Sequence, residues 1–313
     1  MESLIKIDGE PLVKLIEAVT NAIGKWYKPR YVVRMASAEA KAEHIETIEK
    51  VKREALLNHN EDLYNHLSAV EKRLVTKESK RQQNIEQVVN RAANVLSSET
   101  EVSSESVDPD WITRFFDIVQ DISNEQMQEL WGRVLAGEVK QPRSFSLRTL
   151  EALRNITSEE AQLFEEVASC AIYQGLYFLY NGFSGLEKTG IEYWKIMRLI
   201  EIGIIQSVSD AALIFHKDNE LRHAFLYGDY IYFLNFSTQK EEIRIPIFSF
   251  SVLGSELFKL VSIEPDYKFV KAIMKDIVSR NEGTMVSFAK ISKREGSRVE
   301  CDENTLVDLF SED

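Results

Sequence analysis

Apolar residues recur at helical spacing through the first hundred residues, and strand-like alternation is prominent only beyond residue 220. Leu12, Leu15, Ile16, Val19, Ala22, Ile23 and Trp26 make one stripe, which predicts an amphipathic helix over residues 10–27. Pro11 suits its first turn and Pro29 ends it. Residues 30–97 lack glycine and proline and are rich in good helix formers. Their stripes are thin: Ile45, Ile48, Ala55 and Leu56, then Leu63, Leu67, Val70, Leu74, Ile85, Val88, Val89, Ala92 and Val95. Two long helices are predicted, as a hairpin or coiled-coil arm. Such stripes bury too little on their own, so a homo-oligomer built on this arm is expected.

A polar Ser/Glu segment, residues 98–110, separates the arm from a helical middle domain. The middle domain is dense in punctuation. Ser123 to Gln126 and Thr157 to Glu160 both fit the capping-box pattern. Gly137 falls where a helix-ending glycine belongs, and Pro142 follows. Ser144 and Ser146 are alternative caps for a helix carrying Leu147, Leu150 and Leu153. Trp131, Glu138, Pro142, Arg143, Ser146 and Arg148 thus form a compact motif that could be mistaken for an active site. No histidine lies anywhere in this domain to activate a serine, so the motif is read as structural. Glu138 is expected to pair with Arg143 or Arg148.

Beyond residue 184 the pattern changes. A helix over 188–200 is followed by Gly203 and a strand, then by strands on either side of Gly228-Asp229. A strand through Ile243, Ile245 and Ile247, a helix with Leu253 and Leu257, a helix opened by Pro265, and a closing strand "TMVSFAKI" complete it. The order of elements resembles the end of a winged-helix domain. The expected fold class is therefore mainly α: an arm over 1–100, a helical middle domain over 101–184, and a winged-helix-like α+β domain over 185–313.

Composition narrows the function. Net charge is −12, yet residues 1–100 hold 16 Lys+Arg against 15 Asp+Glu, leaving 22 basic and 35 acidic residues beyond them. An acidic body repels phosphate backbones, so nucleic acid is not an expected partner. The exception in charge is Lys25, Trp26, Tyr27, Lys28, Arg30 and Arg34, where cations and aromatics cluster. These are candidate contacts for a partner or for an anionic membrane surface. No apolar run approaches the roughly 18 residues of a spanning helix, and the N-terminus has no secretory pattern. Cys170 and Cys301 suggest neither a disulfide framework nor a zinc site. His44, His59, His66, His216 and His223 lack ligand spacing and are read as surface residues. The 13 glycines are scattered, and no phosphate-binding loop, metal pattern or catalytic set is visible, so no cofactor, metal or catalytic residue is expected.

Three segments carry a family resemblance: Asp110 to Phe116 (DWITRFF), Met127 to Glu138 (MQELWGRVLAGE) and Pro142 to Leu150 (PRSFSLRTL). With "RMASAEAKAEHIE" and "RQQNIEQVVNRA" they resemble a bacterial family known as a domain of unknown function, number twenty-eight-oh-six. The resemblance runs over about residues 10–170. It implies an uncharacterised bacterial protein, with related helical proteins associated with phage defence, and it implies no chemistry. The expected function is a non-enzymatic, oligomeric defence or stress component, cytoplasmic or peripheral to the inner membrane. It would act by protein–protein contact with itself and with a partner protein or phage component. The alternative is a dimeric DNA-binding regulator using the winged helix.

Overall fold

The computed structural model describes residues 10–23, 61–182, 191–216, 222–236, 241–261, 264–295 and 298–309. Two compact units divide the chain, one up to Arg154 and one from Asn155. The boundary thus falls inside the stretch assigned above to one middle domain, 101–184.

The first unit is helical. Helix α1 (Glu10–Ile23) places Leu12, Leu15, Ala18 and Val19 in the interior. It packs on α3 (Pro109–Val119) and α4 (Glu125–Lys140), so its stripe is covered by the chain's own helices. Helix α2 (Glu61–Leu96) is 36 residues long, about 54 Å at 1.5 Å per residue. Its C-terminal end buries Val88, Val89, Ala92, Ala93 and Leu96 and packs on α4. The close approach needs a glycine: a Cβ on Gly132 would lie 2.6 Å from that of Arg91. The first half of the predicted hairpin lies outside the described residues. Helix α5 (Leu147–Asn155) completes this unit. Its core is aromatic: Trp111 stacks on Phe115 at 5.3 Å, and Trp131 meets Phe115 edge-on at 5.5 Å.

The second unit overturns the mainly α expectation. It combines a nine-stranded antiparallel sheet with four helices among the described residues, α6 (Ser158–Ala168), α7 (Tyr193–Glu201), α8 (Val252–Leu257) and α9 (Tyr267–Arg280). The strands are β1 (Ile172–Tyr173), β2 (Tyr177–Tyr180), β3 (Ala212–His216), β4 (Arg222–Tyr227), β5 (Tyr230–Asn235), β6 (Glu242–Ser249), β7 (Met285–Glu295), β8 (Arg298–Cys301) and β9 (Val307–Asp308). Helix α6 comes before β1, α7 between β2 and β3, and α8 and α9 between β6 and β7. Their order is β3-β6-β2-β1-β4-β5-β7-β8, with β9 also paired to β7.

This unit is therefore strand-rich and not a winged helix, and the DNA-regulator alternative loses the fold it was built on. The physical reason is non-local pairing. β6 joins β3 to β2, and β1 joins β4, across connections that local periodicity does not reveal. The hairpin at Gly228-Asp229 does form, with Tyr227 opposite Tyr230 and Gly228 at φ 55°. Pro265 stands outside its helix, which is capped instead by Asp266 accepting from the Lys268 and Phe269 N–H groups. Of the histidines, His216 is exposed, whereas His223 packs against Phe215 at 4.4 Å. His44 and His59 lie outside the described residues.

Candidate functional site

The motif singled out in sequence resolves into a held loop. Glu138 is 1% exposed. Its Oε1 accepts from the Arg143 backbone N–H at 2.6 Å and its Oε2 from the Phe145 N–H at 3.0 Å. The arginine expected as an ion-pair partner thus contributes its main chain, at the positive φ of 68°. A buried carboxylate replaces the hydrogen bonds that those amides would make to water. Ser146, not Ser144, caps α5: its Oγ accepts from the Thr149 N–H at 3.2 Å. The Trp111 indole N–H donates to the Phe145 carbonyl at 2.8 Å, closing the loop from the other side.

Gly137 does not end its helix, which continues to Lys140. It is small because Phe145 lies against it, 2.9 Å from where a Cβ would stand. The first predicted capping box does not form: Asn124 is the cap, accepting from Met127 N–H, which puts Met127 where the returning carboxylate or amide would stand, while Ser123 accepts from Asn84. Trp131 is fully buried. Lys25, Trp26, Tyr27, Lys28, Arg30 and Arg34 lie outside the described residues.

A different surface has the shape of a binding site. Helices α6 and α7 border a groove of about 820 Å³. The second capping box builds one wall. Thr157 Oγ1 accepts from the Glu160 N–H at 3.2 Å, and Glu160 Oε2 accepts from the Thr157 N–H at 2.9 Å. The remaining oxygen, Oε1, accepts from Arg198 Nη2 of α7 at 2.7 Å. Arg198 also donates to Glu201 at 2.6 Å, and its pKa is raised, chiefly by Glu201 and then by Glu160. Lys195 pairs with Glu166 at the next turn. The cap thus doubles as the tether that sets the spacing of the two helices. Glu159 is held below the ordinary carboxylate range by its own backbone N–H and the Thr157 hydroxyl, so the rim stays charged.

Helix α7 is apolar on both sides. Ile196 and Leu199 are buried, while Tyr193, Trp194 and Met197 are 63%, 57% and 45% exposed. Trp194 Nε1 donates to Glu192 Oε2 at 2.9 Å, which fixes the indole at the edge of the groove. Leu163, Met197 and Ile200 supply apolar lining. A large aromatic knob beside an apolar recess with charges at the rim is the pattern of a protein interface. On this helix the exposed apolar residues Tyr193, Trp194 and Met197 are a stronger signal than the cations Lys195 and Arg198, which are paired with Glu166, Glu160 and Glu201.

Among the described residues, no cluster of three His, Cys, Asp or Glu side chains is placed to hold a metal ion, and no helix is long and apolar enough to cross a membrane. No curated protein and no solved structure matches the chain. The family described as Protein of unknown function (DUF2806) matches residues 69–177 and 181–274, a span that takes in the Glu138 loop and both walls of the groove. That match covers more than half of the chain, and the protein belongs to this family.

Proposed function

We propose that the protein works by protein–protein contact and without catalysis, and that its first partner is a second copy of itself seated on α7. The observation that carries this reading is Trp194: more than half exposed, hydrogen-bonded to Glu192, and lining a groove that the described residues leave open. A knob and a recess on one helix form a self-complementary surface. A two-fold axis beside α7 seats the Trp194 of each copy in the groove of the other. The rim fits the same arrangement, because Glu159 and Glu201 face outward near Lys195 and Arg198, so opposite charges can meet across the axis.

Self-association by this surface differs from the arm-built oligomer expected from sequence. The stripe of α1 and the C-terminal stripe of α2 already have partners within the chain. The role as a bacterial defence or stress component, cytoplasmic and with membrane-surface contact through residues 25–34, rests on the family resemblance and on the sequence of that segment.

Light scattering of the full chain, wild type and Trp194→Ala, tests the proposal. A dimer whose dissociation constant rises at least about thirtyfold in the variant is expected, since aromatic anchors at such positions contribute about 2 kcal/mol or more. A monomeric wild type, or a dimer indifferent to Trp194→Ala, overturns it.

A further inference from the structure

A second cavity, of about 290 Å³, lies elsewhere in the sheet unit, lined by Tyr173, Tyr177, Leu226, Ser255, Phe258, Lys259 and Arg294. Its walls come from four strands, β1, β2, β4 and β7, and from α8 with the turn that follows it. Tyr173 and Tyr177 face each other across the β1–β2 hairpin, their rings 5.0 Å apart and tilted by 59°. Tyr177 stacks on Phe258 at 3.8 Å, which gives the wall a rigid aromatic backing. Ser255, within α8, and Lys259, two residues past its end, both line the cavity. Arg294 arrives from the far end of β7.

The charge of this lining is out of character with the molecule. The chain carries −12 overall, yet the seven lining residues include two cations and no carboxylate. Three hydroxyls, from Tyr173, Tyr177 and Ser255, add donors beside the cations. Arg294 is near enough to act on the cavity: burial pushes the Tyr177 phenol up, and the guanidinium charge pulls it back. An aromatic wall with cations and hydroxyls at its edge suits a flat body with a negative end. The volume is at the lower limit for small-molecule sites, which restricts the body to about one ring.

We infer that this cavity binds a small planar anion, a single aromatic ring bearing a phosphate or a carboxylate, with the ring against Tyr173 and Tyr177 and the anionic group on Arg294 and Lys259. The site is independent of the α7 surface.

Ligand-observed NMR on the full chain tests the inference with three probes of one ring type: phenyl phosphate, benzoate and neutral benzyl alcohol. At least one anion binds, benzyl alcohol does not, and the affinity falls about tenfold or more in Arg294→Gln and in Lys259→Gln. Both side chains are exposed, so either variant should keep the wild-type far-UV circular dichroism. The tighter of the two anions identifies the head group. Equal binding of benzyl alcohol, binding untouched by both substitutions, or no binding of any probe at about 5 mM overturns the inference.

Discussion

Glu138 and Glu160 are both nearly buried glutamates at helix-associated loops, and they do opposite things. Glu138 points inward and holds one loop by two backbone amides, Arg143 N–H and Phe145 N–H. Glu160 holds the start of its own helix with one oxygen and reaches Arg198 on the neighbouring helix with the other. The first has no part facing solvent and serves stability. The second sits at the rim of a groove and sets the geometry of an exposed aromatic surface. Density of punctuation in a sequence therefore marks where backbone groups need partners; whether function follows depends on what the helix beyond the cap leaves exposed.

The largest expected effect comes from removing the inward carboxylate. Glu138→Ala strands the buried Phe145 N–H and the part-buried Arg143 N–H, and urea denaturation should show a loss of about 3 kcal/mol. A loss below about 1 kcal/mol would mean that water replaces the carboxylate and that the loop is not held from within. Next is the helix contact beneath the same motif. Gly132→Ala forces a methyl onto the Arg91 Cβ and to 3.2 Å from the Ala92 backbone nitrogen, and should cost about 2 kcal/mol as the two helices part. An unchanged midpoint would show that α2 and α4 can slide without penalty.

Glu160→Ala sharpens the comparison. It loses the returning half of the capping box, from Thr157 N–H, and the reach to Arg198, so stability should fall by about 1 kcal/mol. The dimer proposed above should weaken as well, because α7 loses its tether. Glu138→Ala, at a temperature where it remains folded, should leave the dimer intact; a reversal of that pattern would reverse the roles assigned to the two residues.

The smallest effect concerns the thiols. Burial pushes Cys170 up to about 11, whereas Cys301 is raised less and is partly offset by Arg222. Alkylation at pH 8 should label Cys301 first and reach Cys170 only on unfolding, since the thiolate is the reactive form. Faster labelling of Cys170 would show that the edge of the second unit opens in the native state.

What was legible in both units rests on local signals. The stripe of Leu12, Leu15 and Val19, the Thr157–Glu160 box and the hairpin at Gly228-Asp229 each depend on residues a few positions apart. The sheet was not legible, because β3 (ALIFH) and β2 (YFLY) become strands through β6, more than 25 residues away from the nearer of them. Short strands of two to four residues leave almost no periodic trace, as β1 and β9 show. The candidate groove was half legible. Tyr193, Trp194 and Met197 stand in sequence as an apolar set, but only the position of Ile196 and Leu199 in the interior shows that the set faces outward.

Cross-linking from α7 tests the central claim most directly. A benzophenone amino acid placed at Tyr193, in a mixture of nitrogen-15-labelled and unlabelled chains, should give mixed-isotope products joined to residues of α6 between Glu159 and Glu166. Products joined only within one chain, or joined between chains at any other segment, would contradict a second copy seated on α7.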